Sequence, residues 1–354
     1  MNLAEIINAI YPVDQEWMAK ARARTAQLVM PARALGRLHE IAERICGIQR
    51  TLQPSISRKA VLVMAGDHGI AAAGVSAYPQ EVTGAMIKTF LAGGAGINAI
   101  SRQVSADVFV VDVGSLAEFD NLQVPGADKL IVRKVARGTA NFAEGPAMSP
   151  ADAERSILIG FEEAGKLFQA GVEIIGTGDM GIGNTTPSAA VGSVICRLDP
   201  VEMVGRGTGV DDQGLARKRD AVRRGIALNR PKPADGLDIL SKIGGFEIGA
   251  IAGIALAGAY HRRPVMLDGF ISTAGALIAA ELCPRVKDFL LSGHCSEEPG
   301  HRHMLKHLDL NPILDLGMRL GEGTGGALAM GVVEGALRVF KEVMTFTEAG
   351  VAQK

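Results

Sequence analysis

Aromatic residues are scarce in this chain: they make up 4% of its 354 residues, with a single Trp and three Tyr. Single-stranded nucleic acid is bound on platforms of such rings, so that class of function has little to draw on. An excess of either charge is missing too. The 37 Lys and Arg are matched by 38 Asp and Glu, a net charge of −1. The two signs are interspersed, which excludes a basic stripe for nucleic acid or a membrane surface. Cysteine is limited to Cys46, Cys196, Cys283 and Cys295, with no CxxC spacing. That pattern predicts idle, reduced thiols in a cytoplasmic protein rather than a disulfide framework or a zinc site. No apolar run is long. The segment 248–260 is the most apolar and carries three glycines, which suits a core helix and is too short to span a bilayer. The opening residues MNLAEIINAIYPVDQEW have neither the basic nor the apolar part of a secretory signal.

Glycine, by contrast, is plentiful, with 44 residues, and 47% of the chain is hydrophobic. The length allows one large domain and a smaller one. Apolar runs at Ala60–Ala65, Asp107–Val113, Leu130–Val135, Val172–Ile175, Arg263–Leu267 and Asp288–Leu291 read as strands. Helical stretches separate them, including one that starts at Ser149-Pro150 with Ser as cap. Alternation of this kind predicts an α/β fold: a doubly wound, mostly parallel sheet flanked by helices. The large domain is expected at 54–311. Residues 1–53, helical with one long repeat across Met18–Ile48, and 312–354 are expected to form a small helical domain.

The stretch Val172–Ala190, VEIIGTGDMGIGNTTPSAA, is a buried strand, a turn holding Gly176, Gly178, Gly181 and Gly183, and a helix start at Asn184-Thr185. Glycines let backbone N–H groups approach a ligand, and a helix N-terminus favours an anion. The plainer alternative is an ordinary connection capped by Asn or Thr. Asp179 in that turn suits a hydroxyl or a cationic ring rather than a phosphate. A second glycine turn, Gly205–Gly209 with Gly207 and Thr208, precedes a basic helix. Lys218 on that helix is either a solvated face or a counter-charge. The loop 70–83 carries Ser76 and Tyr78, and loops of that length are often functional. Asp67-His68 follows the first strand, either as a candidate pair or as a capped turn. Ser296, with two acids behind it, reads as a helix cap. His303 and His307 are spaced i, i+4 but lack the glutamate of HExxH and any further ligand, so no metal is expected.

No P-loop, no GxGxxG with a trailing acid and no GxSxG elbow is present. What remains is a set of acids in glycine turns at strand ends: Asp67, Asp179, Asp268 and Glu322. Carboxylates around a sugar carbon suit displacement through a cation-like transition state, one taking a proton and another stabilising positive charge.

Six segments in order, GDHGIAAAGVSAYPQEVT (66–83), GTGDMGIGNTTPSAA (176–190), GRGTGVDD (205–212), LDGFISTAGALIA (267–279), SGHCSEEPGH (292–301) and LGEGTGGALAM (320–330), resemble the nicotinate-nucleotide–dimethylbenzimidazole phosphoribosyltransferases. The resemblance runs from Pro54 to Val339. It implies transfer of phosphoribose from nicotinate mononucleotide to 5,6-dimethylbenzimidazole, with inversion at the anomeric carbon. The products are nicotinate and α-ribazole 5′-phosphate, used in the lower nucleotide loop of cobalamin. It further implies Glu322 as general base, with Asp179 standing where the family carries a longer glutamate. Gly176, Gly178, Asn184, Thr185, Gly207, Thr208, Lys218, Asp268 and Ser296 are the expected contacts for the nucleotide, and Ser76 and Tyr78 those for the base. No metal or cofactor is implied, and the partners are the two small-molecule substrates and a second copy of the chain. A binder of nicotinate mononucleotide without turnover is the alternative on the same fold. An NAD-dependent oxidoreductase is a third, disfavoured by the missing fingerprint.

Overall fold

The computed structural model describes residues 1–120 and 122–352. Helices α1 (Leu3–Ala9), α2 (Gln15–Thr25) and α3 (Arg37–Gln49) precede strand β1 (Lys59–Gly66), and α4 (Glu81–Leu91) and α5 (Gly96–Gln103) lead to β2 (Ala106–Gly114). After β3 (Leu130–Val132) come α6 (Pro150–Gln169), β4 (Ile174–Met180), α7 (Thr185–Cys196), α8 (Pro200–Met203), α9 (Asp212–Asn229), α10 (Gly236–Ile243) and α11 (Phe246–His261). The chain then runs through β5 (Val265–Leu267), α12 (Phe270–Leu282), β6 (Leu290–Ser292), α13 (His301–Leu308) and α14 (Thr324–Glu342).

All strand pairs are parallel, in the order β3-β2-β1-β4-β5-β6. The expected doubly wound sheet is therefore what the chain forms. Side chains alternate across it because successive strand residues point to opposite faces. Ala60, Leu62 and Met64 of β1 join one buried cluster, with α6, α7 and α10–α12. Val61, Val63 and Ala65 join the other, with α3, α4, α5 and α14. Both faces are covered, which is why β1 reads as an unbroken apolar run rather than an alternating one.

The expected helix across Met18–Ile48 is instead two. α2 ends at Thr25 and α3 starts at Arg37, and the intervening Pro31 and the positive-φ Gly36 break the repeat. At the other end of the chain, α14 packs on α3, on α5 and on β4 and β5. α6 and α11 share the largest helix–helix contact. It is close enough that a Cβ on Gly160 would collide with the carbonyl of Ala250.

Within the sheet, β1 and β4 are neighbours, and successive strands spread outward from them in opposite directions. That is the switch point of an open α/β sheet, where a crevice opens beyond the carboxyl ends of the strands. Register places Asp179 beside Met64, near the end of both strands.

Two substitutions check this packing. Gly160→Ala should lower stability by about 1–3 kcal/mol through overpacking against α11. Gly335→Ala, where a Cβ meets nothing within 4 Å, should raise it by about 0.5–1 kcal/mol. Chemical denaturation of both variants measures each sign.

Candidate active site

Three strand ends and one turn supply the acids. Asp67 follows β1, Asp179 ends β4, Asp268 follows β5, and Glu322 lies in the turn before α14. His294 follows β6. Beyond these ends lies a cleft of roughly 330 Å³, lined among others by Tyr78, Asp179, Asn184, Thr185, Gly207, Thr208 and Ser296. A second open groove, of about 380 Å³, sits at the amino end of β2 and is lined by none of these residues.

Asp268 is fully buried and spends its carboxylate on backbone N–H groups. Its Oδ2 accepts the Gly323 N–H at 3.1 Å, and its Oδ1 accepts those of Gly325 at 2.8 Å and Gly326 at 3.0 Å. These are orphan donors at the start of α14, so Asp268 caps that helix from across the sheet. The clamp fixes a turn in which Gly321, Glu322 and Gly323 all have positive φ, +64° at Glu322. For a residue with a side chain, that conformation costs on the order of 1–3 kcal/mol and persists only when its surroundings impose it. The Glu322 carboxylate is buried and accepts the Ile97 N–H, in the first turn of α5, at 3.1 Å. Burial raises its pKa, and the bond from Ile97 opposes the rise.

Asp179 is pushed further. Burial first, then the Asp268 charge, carry its carboxyl up to about 8, against the pull of the Asn184 amide, which donates to Oδ2 at 2.8 Å. Asn184 stands at the cap position of α7, but its side chain makes no capping bond to that helix. Its amide is spent on Asp179, and the α7 N-terminus faces the cleft through Thr185.

Lys218 is 1% exposed, which corrects the solvated-face alternative. Its Nζ donates to Thr185 Oγ1 at 2.8 Å. Burial lowers its pKa to about 8, with Glu298 opposing. Gly207 fits between these groups: a Cβ there would stand 2.6 Å from Thr185 Oγ1 and 2.7 Å from Lys218 Nζ. Its N–H donates to Glu298 Oε1 at 2.8 Å. At the rim, Ser76 Oγ and Thr208 Oγ1 are 3.1 Å apart, and Thr208 Oγ1 also accepts the Ala77 N–H. Tyr78 beside them is 57% exposed.

Asp67 and His68 support the cleft from behind. Asp67 accepts from Thr83 Oγ1 at 2.7 Å and from the Leu116 N–H at 2.8 Å. Thr83 Oγ1 in turn accepts the Ile182 N–H at 3.2 Å, so the exit of β1 holds the loop after β4. His68 Nε2 lies 2.9 Å from Glu247 Oε1, both buried. Burial works against charge on His68, but Glu247, with Asp67 and Asp179, outweighs it and the pKa is raised.

Three comparisons with known proteins bear on this site. A family profile described as "Phosphoribosyltransferase" matches residues 10–351. A protein of Geobacter sulfurreducens named nicotinate-nucleotide–dimethylbenzimidazole phosphoribosyltransferase is 50% identical over 351 residues, 99% of this chain and 98% of its own. A namesake from Desulforudis audaxviator is equally similar, at 50% over 351 residues with the same coverage. The crystal structure of the Thermus thermophilus protein of that name superposes with a TM-score of 0.90 at 47% identity, covering 96% of this chain and all of that one. The chain belongs to the nicotinate-nucleotide–dimethylbenzimidazole phosphoribosyltransferase family.

Against that family's expected contacts, the cleft gathers Tyr78, Asp179, Asn184, Thr185, Gly207, Thr208 and Ser296 into its walls. Ser76 joins Thr208 at the rim, Lys218 stands behind Thr185, and Asp268 and Glu322 lie outside the lining. Gly176 and Gly178 lie within β4, which extends to Met180, rather than in a turn. Their missing side chains admit other elements: a Cβ on Gly176 would meet Met330 at 2.8 Å, and one on Gly178 the Glu322 carbonyl at 2.5 Å. Ser296 caps no helix. α13 starts only at His301, after Pro299-Gly300, and Ser296 Oγ takes the Glu298 N–H of a local turn at 3.4 Å instead. His294, Glu298 and Arg319 also line the cleft and were not expected from the sequence; Glu298 sits in the acidic SEEPG run that the cap reading absorbed. All four cysteines are free, and burial pushes the Cys46 thiol up to about 12.

The raised Asp179 pKa gives a testable pH dependence. Unfolded, the group ionises near 3.9; folded, it stays protonated to about 8. Its burial therefore destabilises the free protein increasingly as pH rises between those values. Asp179→Asn should leave the melting temperature nearly unchanged at about pH 4.5 and raise it progressively toward about pH 8. Thermal melts of both proteins across that range measure it.

Proposed function

We propose that the chain transfers phosphoribose from nicotinate mononucleotide to 5,6-dimethylbenzimidazole, giving α-ribazole 5′-phosphate and nicotinate. Full-length relatives of that name support the substrates. The observation that carries the chemistry is Glu322, a buried acid at positive φ whose following glycines are clamped by Asp268.

In this reading the donor phosphate lies at the α7 N-terminus against Thr185 and the Gly207 turn, with Lys218 supplying the opposing charge. Glu322 takes the N–H proton of the benzimidazole, and the lone pair of the other ring nitrogen attacks the anomeric carbon. The bond from that carbon to the pyridine nitrogen breaks, and nicotinate leaves with the electron pair. Attack from the face opposite the leaving group inverts the centre. A desolvated carboxylate with a raised pKa is a stronger base than one in water, which suits it to this proton. Asp179 lies in the cleft wall, protonated in the free protein; the cationic pyridinium of the bound donor favours its ionised form, and the carboxylate then stabilises the positive charge that develops on the sugar. A mere binder of the nucleotide has no use for a strained acid in this place.

The same reading makes the chain a homodimer acting in the cytoplasm. Supporting it, Tyr78 and Leu320 line the cleft mouth with large apolar surface exposed, and Leu316 on the same loop is equally open. No helix among the described residues is long and apolar enough to cross a membrane.

Incubation with both substrates should release nicotinate and form α-ribazole 5′-phosphate. Glu322→Gln should lower kcat by about 10²–10⁴-fold, the range for loss of a general base, with the nucleotide KM little changed. No product from the wild-type protein would sink the reading. Full activity in the Gln variant would remove Glu322 from its role.

A further inference from the structure

The turn Gly205–Gly209 joins two regions that the chain leaves far apart. Through Gly207 it lies against Thr185 and Lys218, with no room for a side chain between them. Through Thr208 it reaches Ser76 of the loop 70–83, 132 residues away in sequence. Thr208 Oγ1 lies 3.1 Å from Ser76 Oγ and accepts the Ala77 N–H at 3.0 Å. Ser76 Oγ in turn accepts the Tyr78 N–H at 3.2 Å. One threonine hydroxyl thus sets the path of Ser76, Ala77 and Tyr78.

Little else holds that part of the loop. Ala77, Tyr78 and Pro79 are exposed. Among the described residues, the other hydrogen bond that reaches residues 74–79 from outside the loop runs from Arg217 Nε to the Gly74 carbonyl, at 3.2 Å. Arg217 directly precedes Lys218 on α9, so both ties start from the segments that form the phosphate corner. Thr208 is exposed and Ser76 half-buried, and water competes for hydroxyls placed there. Bonds of this kind open locally unless something restrains their backbone. An anion drawn to Lys218 and the α7 N-terminus supplies that restraint, because it lies against Gly207 with Thr208 next in the chain.

We propose that Thr208 is a positioning residue that couples donor and acceptor binding: phosphate beside Lys218 fixes the turn, and the turn sets Tyr78 for the acceptor base. The inference rests on the phosphate placement made under Proposed function. Tyr78 lines the cleft mouth, where its ring offers a flat apolar face to a heteroaromatic ring. Loop and turn are ordered together, so whichever ligand binds first lowers the ordering cost left to the second. The coupling is reciprocal: each ligand tightens the other by the same factor.

Equilibrium binding without turnover tests it, with ribose 5-phosphate standing in for the donor. Saturating ribose 5-phosphate should tighten dimethylbenzimidazole binding to the wild-type protein about three- to tenfold, the worth of one neutral hydrogen bond. Thr208→Val, which keeps the shape and loses the hydroxyl, should bring that factor close to one, and Thr208→Ser should restore it. A merely structural threonine gives a different result: its loss weakens base binding equally with and without ribose 5-phosphate. An unchanged factor in the Val variant, or no coupling in the wild-type protein, overturns the proposal. Should the Val variant not fold, Ser76→Ala takes its place, and an unchanged factor there overturns it equally. Coupled binding in a wild-type protein that forms no product sinks the transfer reading and leaves this inference standing. Failure to bind the base at all sinks both.

Discussion

One carboxylate holds the site together. Asp268 leaves β5 and spends both oxygens on three N–H groups at the start of α14. It thereby joins the sheet edge to the only segment that carries Glu322. The left-handed run Gly321-Glu322-Gly323 is not a conformation that a free loop would keep. Gly178 makes the join possible, because β4 passes so near the Glu322 carbonyl that no side chain fits between them. Remove the charge on Asp268 and the helix loses its cap, the turn its restraint and the acid its place.

The rest of the electrostatics follows from packing so many ionisable groups at one sheet edge. Asp179, Asp268 and Glu322 share a desolvated region, and each raises the cost of charging its neighbour. Asp179 resolves the conflict by staying protonated to about 8, and Lys218 by falling to about 8. Such a site is poorly satisfied when empty and better satisfied by a ligand that brings anionic and cationic groups of its own. The stability given up in the free protein is what one expects where function sets the residues.

Much of this was legible in the sequence, and the parts that were not share a cause. Strands such as Ala60–Ala65 showed themselves because burial on both faces makes them continuous apolar runs. The acids Asp179, Asp268 and Glu322 stood out because glycines at strand ends mark sites in such folds. Lys218 was ambiguous because a basic helix reads the same whether one lysine turns inward or all face water; only Thr185 Oγ1 across the chain separates the two. Ser296 looked like a cap because local patterns cannot see Pro299-Gly300 delaying the helix. Asp268 gave no sign of its capping role for a similar reason: the N–H groups it accepts from lie more than fifty residues away. Long-range hydrogen bonds leave no local periodicity, and here they decide which polar residues line the cleft and which serve the backbone.

The central claim is a direct displacement at the anomeric carbon, with Glu322 and the leaving pyridine on opposite faces of the sugar. The configuration of the product, read by two-dimensional NMR through the contacts between the anomeric proton and the ribose ring, tests it most directly. An α-linked ribazole phosphate from the β-linked donor is the result this account predicts. A β-linked product would mean retention through an enzyme-bound or free cationic intermediate and would contradict it.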